Sequence, residues 1–453
     1  MDYNVLKGTH DIIDEEAYNY SYIEEILTNI AWLYDFKEYR VPVIEKSELY
    51  QRSVGEGSDI VRKEMYTFED KGNRLITLRP EFTAGIIRSM INSKFLVTRD
   101  LPLKAFYCGP VFRYERPQLG RYRQFNQFGI EIVGSNSYLR DVECIAFGYT
   151  ALKMLGFKNL ELRINTLGDK FSRENYKKAL VNYFSKHINE MCNDCKERLK
   201  LNPLRILDCK VLDDQEIIKG APLMKNYLTL DSKTRFENVL EALDIMGIPY
   251  IEDDTLVRGL DYYSETVFEF HYTSKNGNNY GAIGAGGHYS DLVKELGGPV
   301  LSGVGLSFGI ERLYNILKDD NKLQQKDKID LYIAPIGNVD INYIMSIVFD
   351  VRNNGYSCEI NLESKSITSS IKKAVRANSK YLLIIGEDEM KDGIYTLKNL
   401  ETQEQLDVYE PDLIKVLDAL YKEEEDKYCD LTESINELKD EEDEEDEEEI
   451  EKE

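Results

Sequence analysis

The sequence predicts a mixed α/β (α+β) chain with a strand hairpin at its centre and a separate α/β domain towards its C-terminal end. Two observations predict it. Between Phe106 and Ile132, two stretches of alternating apolar residues are joined by a short basic loop, the pattern of a half-buried hairpin. From Leu331 onward the pattern becomes strand, helix, strand, helix, strand, the order of a βαβ sheet. The length of 453 residues, 42% of them hydrophobic, allows two or three domains with a core each.

Taken in order, Gly8-Thr9-His10-Asp11 leads into a helix over about 14–34, with Ile23, Ile26, Leu27, Ile30 and Leu33 at helical spacing. Arg40 to Ile44 reads as a strand, and Pro42, which has no N–H to donate, places it at an edge or an interface. Leu75-Ile76-Thr77 reads as a strand, and in the Arg79-Pro80-Glu81-Phe82-Thr83 that follows, Glu81 or Thr83 can cap a helix. The span 170–254 is rich in Lys, Asn and Leu and reads as a mainly helical insertion between two parts of one domain, 1–169 and 255–318. It holds His187, Cys192-x-x-Cys195 and Cys209, which are zinc-binding residue types. The second pair is incomplete and the spacing is not that of a standard knuckle, so the expectation is reduced cysteines and no protein-held metal.

Leu256 to Phe270 is a second strand-like stretch, containing Arg258, Gly259, Tyr262 and Tyr263. Gly303 to Gly309 reads as a strand running into a helix whose buried stripe is Ile310, Leu313, Tyr314 and Leu317, leaving Arg312 off it. Glycines at such a junction favour an arginine aimed at phosphates over one that merely meets water. A polar run over 319–328 reads as a linker. Beyond it strands at 331–336, 356–360 and 381–385 alternate with helices at 340–352 and 369–378, and a hairpin and a helix close the domain 328–421. Lys365, Lys372, Lys373 and Arg376 fit phosphate contacts, although solvated helix charges look the same.

The hairpin carries the chemistry. One face of its first arm holds Phe106, Cys108, Phe112 and Tyr114, the other Gly109, Val111, Arg113 and Glu115. In the second arm Phe128, Ile130 and Ile132 oppose Phe125, Gln127, Gly129 and Glu131. The connecting Arg116-Pro-Gln118-Leu-Gly-Arg121-Tyr-Arg123 adds three guanidinium groups. A solvated strand face favours Lys, Glu and Thr. An Arg fork for phosphate, a ring for a base and a Gly for close approach suit the floor of a nucleotide site.

Phe112-Arg113-x-Glu115, the basic loop, and Arg123-x-Phe125 with Glu131 beyond resemble motif 2 of class II aminoacyl-tRNA synthetases. The long first helix and proline-bearing strand resemble motif 1, and Gly303 to Leu313 resembles motif 3. Within the class the histidyl-tRNA synthetase family is the nearest resemblance, through Arg258-Gly259-Leu-Asp261-Tyr262-Tyr263 and Ala285-Gly286-Gly287-His288-Tyr289. Many members carry Arg at position 288 and Asp-Gly at Ser290-Asp291, a departure that leaves the role of position 288 open.

The resemblance implies an antiparallel sheet flanked by helices, a C-terminal anticodon-binding domain, a homodimer, and ligation of histidine to tRNA(His) using ATP and Mg²⁺. It implies Arg113 and Arg258 on the α-phosphate and the amino-acid carboxylate, as the catalytic pair. Arg121 and Arg312 would hold the outer phosphates, Phe125 the adenine, and Glu115 would join the ATP site. Glu81, Thr83 and Gln127 fall to the amino group of histidine; Glu131, Tyr262, Tyr263 and Tyr289 fall to its ring pocket. Arg116 and Gln118 fall to the tRNA acceptor end. An alternative is a non-catalytic, histidine-sensing relative of the ATP phosphoribosyltransferase regulatory-subunit type, which typically lacks both the Arg258 signature and the anticodon domain. A tRNA-sensing module would be expected to lose the ATP-binding arginines.

The net charge of −25 is unevenly spread. The segment 422–453 holds 19 acidic and 4 basic side chains and no apolar pattern, so a disordered tail is expected and phosphate binding rests on local patches. Seven cysteines and no secretory h-region at the start suggest a reducing cytoplasm, and no apolar run is long enough for a membrane helix.

Overall fold

An eight-stranded sheet organises the first of two units, residues 1–325. The computed structural model describes residues 3–55, 58, 60–116, 120–363 and 366–422. The strands of this unit are β1 (Lys37–Glu38), β2 (Ile44–Lys46), β3 (Thr67–Glu69), β4 (Leu75–Leu78), β5 (Leu103–Phe112), β6 (Gln124–Val133), β7 (Leu160–Thr166), β8 (Ile251–Glu252), β9 (Thr266–Thr273), β10 (Asn279–Tyr289) and β11 (Gly303–Gly309). The large sheet runs β1-β5-β6-β11-β10-β9-β7-β8, and β2, β4 and β3 make a small antiparallel sheet of their own. Neighbours from β5 to β7 are antiparallel; only the two-residue edge strands β1 and β8 add in parallel. Such short edges present few unpaired backbone groups.

The hairpin of the sequence is β5–β6, in register from Leu103 opposite Val133 to Phe112 opposite Gln124. Alternation sends Phe106, Phe128, Ile130 and Ile132 into a core shared with the helices Asp14–Leu33, Tyr138–Met154 and Ile310–Asp319. Each such buried side chain contributes about 1.5–3 kcal/mol. A one-residue slip would exchange them for Gln127 and Glu131, so this face fixes the register of the other. On the opposite face Ala105, Tyr107 and Val111 pack with Phe82, Ile86 and Ile87 and with Tyr176, Leu180 and Phe184 of the helix Lys170–Phe184. The span 170–254 is helical but for β8, through Asn193–Leu201, a 3₁₀ turn Pro203–Asp208, Leu212–Ile218, a 3₁₀ turn Met224–Tyr227 and Leu230–Ile245.

Four local expectations change. Residues 39–43 form no strand; the Val41 and Val43 carbonyls are taken instead by the Arg79 guanidinium and the Arg79 N–H, both at 2.8 Å. Leu33 is exposed, because the first helix buries only its Ile23, Leu27 and Ile30 face fully. Residues 256–265 form a turning loop, and the strand begins at Thr266. The linker begins later than 319: buried Asp320 accepts from the Tyr272 hydroxyl at 2.6 Å and the Lys275 N–H at 2.9 Å.

The second unit, from residue 326, has strands β12 (Ile329–Pro335), β13 (Cys358–Ile360), β14 (Ser379–Ile385), β15 (Ile394–Asn399) and β16 (Gln405–Tyr409) in the order β13-β12-β14-β15-β16. The first three pair in parallel and the last two add antiparallel. Alternation along β12 sends Leu331 and Ile333 to the helix Ile341–Asn353 and Tyr332 and Ala334 to Ala374 on the helix Ile367–Arg376. Both faces are covered, as a parallel sheet requires. Lys372 and Arg376 are exposed, and Lys373 donates to Asn361 at 3.0 Å. Lys365 and the acidic segment from 423 lie outside the described residues.

Candidate active site

The polar face of β5–β6 is the floor of a cavity of about 390 Å³. The start of the helix Thr83–Asn92, the 256–263 loop, β10, and the junction of β11 with its helix supply the walls. Glu81, Thr83, Arg113, Glu115, Arg121, Phe125, Gln127, Glu131, Arg258, Tyr262, Tyr263, Tyr289 and Arg312 all line it. Arg116 is exposed and is not in the lining, and Gln118 lies outside the described residues.

Glu131 is 1% exposed and anchors one part of the cavity. The Thr83 hydroxyl donates to its Oε1 at 2.6 Å, Tyr289 donates to its Oε2 at 2.8 Å, and the Tyr107 hydroxyl lies 3.5 Å from Oε1. Space for this cluster comes from β11. A Cβ on Gly305, directly opposite Glu131, would collide with the carboxylate, and one on Gly303 would collide with the Tyr289 ring. Glu81 accepts from the Thr83 and Ala84 N–H groups at 2.6 and 3.0 Å. It therefore caps the helix it precedes while also facing the cavity, and burial raises its pKa.

Burial, opposed by its hydroxyl donors, pushes the Glu131 carboxyl up to about 8. An unfolded chain releases this proton near the ordinary value of about 4.3. Between the two values the folded state binds more protons than the unfolded one, so the stability of the ligand-free protein falls as pH rises through that window. The wild-type melting temperature should decline relative to that of Glu131→Gln between about pH 5 and pH 8, and the difference should level off above. Parallel curves for the two proteins would remove Glu131 as the cause.

The basic part of the cavity is built on the loop. Arg113 donates through Nε to the Pro80 carbonyl at 2.8 Å, and its guanidinium lies 5.4 Å from the Phe125 ring centre. Glu115 lies 3.9 Å from Arg113 and 3.7 Å from Arg121. Arg312 donates to the Ala282 carbonyl. Burial and the neighbouring Arg121 charge hold its pKa below the ordinary range, a penalty that an incoming anion would relieve. Arg258 pairs with Glu269, which also meets His271 Nε2 at 2.9 Å, and the Arg258 Nε is buried with no partner among the described residues.

The 256–263 loop is tied down at its start by Asn165, which donates to the Leu256 carbonyl at 3.0 Å, and at its end by two further contacts. Asn202 donates to Asp261 at 2.8 Å, and the Ser264 and Ser290 hydroxyls meet at 2.8 Å. Position 288 takes no part in the lining. His288, one residue out of phase with Tyr289, is 1% exposed and turns to Asp141 at 2.9 Å. Asp141, fully buried, also accepts from Arg235 at 2.7 Å and Thr266 at 2.9 Å. Removing one partner of a buried ion pair costs about 3–5 kcal/mol. Because Thr266 and His288 remain, Arg235→Ala should lose about 3 kcal/mol in chemical denaturation; a loss under about 1 kcal/mol would show that solvent replaces the arginine.

Tyr107, Glu269 and Arg205 were not singled out from the sequence. Tyr107 and Arg205 line the cavity, while Glu269 stands behind Arg258. Tyr107 shares the parity of Gly109 and Val111, so strand alternation was the signal for it. Glu269 and Arg205 reach their places through cross-strand pairing and the insertion, which leave no local mark.

Comparison with known proteins agrees with this architecture. A family model described as histidyl-tRNA synthetase matches residues 8–313, and one described as anticodon binding domain matches 330–420. A Bacillus licheniformis protein named histidine–tRNA ligase is 43% identical over 421 residues, covering 92% of this chain and 99% of its own length. One of the same name from Lactiplantibacillus plantarum is 43% identical over 416 residues, covering 91% and 98%. The solved structure of apo S. aureus histidyl-tRNA synthetase superimposes with a TM-score of 0.78 at 35% identity, covering 91% of this chain and 99% of that one.

Proposed function

The chain belongs to the histidyl-tRNA synthetase family, and from that premise we propose how its cavity performs the ligation. Its activity is that of a histidine–tRNA ligase, a class II aminoacyl-tRNA synthetase. Histidine and ATP give histidyl-adenylate and pyrophosphate; the histidyl group then passes to tRNA(His) and AMP is released. One observation carries the reading: a buried carboxyl group with two hydroxyl donors and four arginines line the same cavity.

In the first step the histidine carboxylate attacks the α-phosphorus of ATP, so two anions must be brought together. The demand is positioning and charge neutralisation, not a covalent nucleophile. Arg113 and Arg258 take the α-phosphate and the carboxylate, and Arg121 and Arg312 the outer phosphates. Phe125 stacks on adenine. Glu81, Thr83 and Gln127 receive the ammonium group, while Glu131 and Tyr263 select the imidazole by pairing its two ring nitrogens, with Tyr289 closing the pocket and Tyr262 also binding histidine. Mg²⁺ needs hard oxygen ligands; Glu115 and Glu311 line the cavity with Arg121 and Arg312, so those carboxylates would hold it. Held by them, Mg²⁺ would supply positive charge to offset that of the outer phosphates.

Arg116 and Gln118 are assigned to the acceptor end of the tRNA, and the domain 328–421 to its anticodon, with Lys372, Lys373 and Arg376 on phosphates. The domain 1–169 with 255–318 is catalytic, and 170–254 is its insertion. The first helix and the segment after it are assigned to a homodimer contact; Trp32, Leu33 and Ile44 are exposed there. No helix among the described residues is long and apolar enough to cross a membrane. With tRNA as partner and no disulfide among the described cysteines, the compartment proposed is the cytoplasm. Histidine-dependent ATP–pyrophosphate exchange tests the reading. Tight histidine binding without exchange would favour the histidine-sensing alternative, which has no use for four arginines in one cavity.

A further inference from the structure

The insertion gathers a second constellation, away from the catalytic groups. The ligand atoms of Cys192, Cys195, Cys209 and Asp214 all lie within 4.8 Å of one another. Cys195, Cys209 and Asp214 are buried at 0, 5 and 1% exposure. The Cys192 and Cys209 sulfurs are 3.8 Å apart, far beyond the roughly 2.0 Å of a disulfide. That separation matches the edge of a tetrahedron, about 3.8 Å, set by Zn–S bonds of about 2.3 Å. Cys209 Sγ is 3.1 Å from Asp214 Oδ2. The Cys192 N–H donates to both Asp214 oxygens, at 3.1 and 3.3 Å, and the Cys195 N–H donates to the Cys192 sulfur at 3.4 Å. Among the described residues no Lys, Arg or His nitrogen lies within 4.0 Å of the Asp214 carboxylate. A buried carboxylate amid three thiols lacks a cation, and soft sulfur with one hard oxygen suits zinc.

We propose that Cys192, Cys195, Cys209 and Asp214 form a structural zinc site that fastens the insertion beside the catalytic cavity. This departs from the expectation of ordinary cysteines, which weighed His187 as the fourth ligand. His187 instead packs its ring against Tyr183, with centroids 5.1 Å apart. Asp214, five residues past Cys209, completes the set, and a lone Asp at that spacing carries no metal signature. The site joins three short elements of 9, 6 and 7 residues, Asn193–Leu201, Pro203–Asp208 and Leu212–Ile218. Helices this short are marginal alone, so a crosslink among them matters to their order. The first two lead to the cavity. Asn202 between them holds Asp261 of the Arg258 loop, and Arg205 is in the lining.

Protein expressed in zinc-supplemented medium and purified with reductant but no chelator should contain about one zinc per chain by elemental analysis. Cys192→Ser and Cys209→Ser should each lower this at least fivefold, and His187→Ala should leave it unchanged. Should the serine variants fail to fold, wild-type protein stripped of zinc and loaded with Co²⁺ keeps the proposal testable. Thiolate-to-cobalt charge transfer and tetrahedral d–d bands are expected, and Asp214→Asn should lose cobalt to a chelator at least tenfold more readily. Zinc below about one in ten chains after loading with excess ZnCl₂, octahedral cobalt spectra, or zinc lost in His187→Ala would each overturn the site. A Cys192–Cys209 disulfide in protein kept under reductant would do the same.

Discussion

Replacing Arg258 with alanine should lower histidine-dependent ATP–pyrophosphate exchange by about 10²-fold or more, the scale of losing one preorganised donor to developing charge. Arg258 is held by Glu269 and lies beside the Tyr263 ring, 5.4 Å from its centre. Its buried Nε has no partner among the described residues, so a donor is left for a substrate oxygen. As the carboxylate attacks, negative charge moves across the new P–O bond, and an arginine spanning both oxygens gains most at that moment. Histidine binding without ATP, measured by calorimetry, should suffer far less, because Glu81, Gln127, Glu131 and Tyr263 are untouched. Glu269 keeps its contact with His271 Nε2 at 2.9 Å. Arg258→Lys should not restore the rate, since one ammonium lacks the fork that reaches two oxygens. Equal losses in binding and exchange would make Arg258 a ground-state contact only.

The reach of the sequence follows from the range of each interaction. Alternation in β5 and β6 is local, so the face that lines the cavity was legible, and with it Arg113, Phe125, Gln127 and Glu131. Arg312 was legible by the converse: it lies off the buried stripe of the helix that follows β11. The 256–265 segment misled because its aromatic and β-branched content resembles a strand. The segment is fixed by Asn202 on the Asp261 side chain, by the Val54 carbonyl on the Asp261 N–H, and by Ser290 on the Ser264 hydroxyl, residues brought from three distant parts of the chain. The same holds for Arg79, buried at 5% exposure, which donates to the Val41 and Pro110 carbonyls at 2.8 Å and turns a predicted strand into a brace. Position 288 also needed the fold. Its departure from the usual arginine makes sense only once Arg235, from the insertion, is seen to reach Asp141.

Glu131→Gln should give a pattern opposite to that of Arg258→Ala, with histidine affinity falling first. Two hydroxyls donate to this carboxylate, from Thr83 and Tyr289, and a third, from Tyr107, lies at 3.5 Å. Once ionised, the carboxylate can accept from them and from an imidazole N–H together. An amide has one acceptor oxygen, and its NH₂ must face a hydroxyl that now points a proton at it. A buried polar group left mismatched costs about 1–3 kcal/mol, which corresponds to roughly 5- to 150-fold in Kd. The loss should be largest for histidine and small for analogues whose ring has no N–H, so discrimination narrows along with affinity. Exchange at saturating histidine should fall less, because the four arginines remain where the charge develops. Titration of histidine against both proteins, beside exchange at saturation, separates the terms. An unchanged Kd with collapsed exchange would move Glu131 out of the ring pocket and into the support of the catalytic geometry.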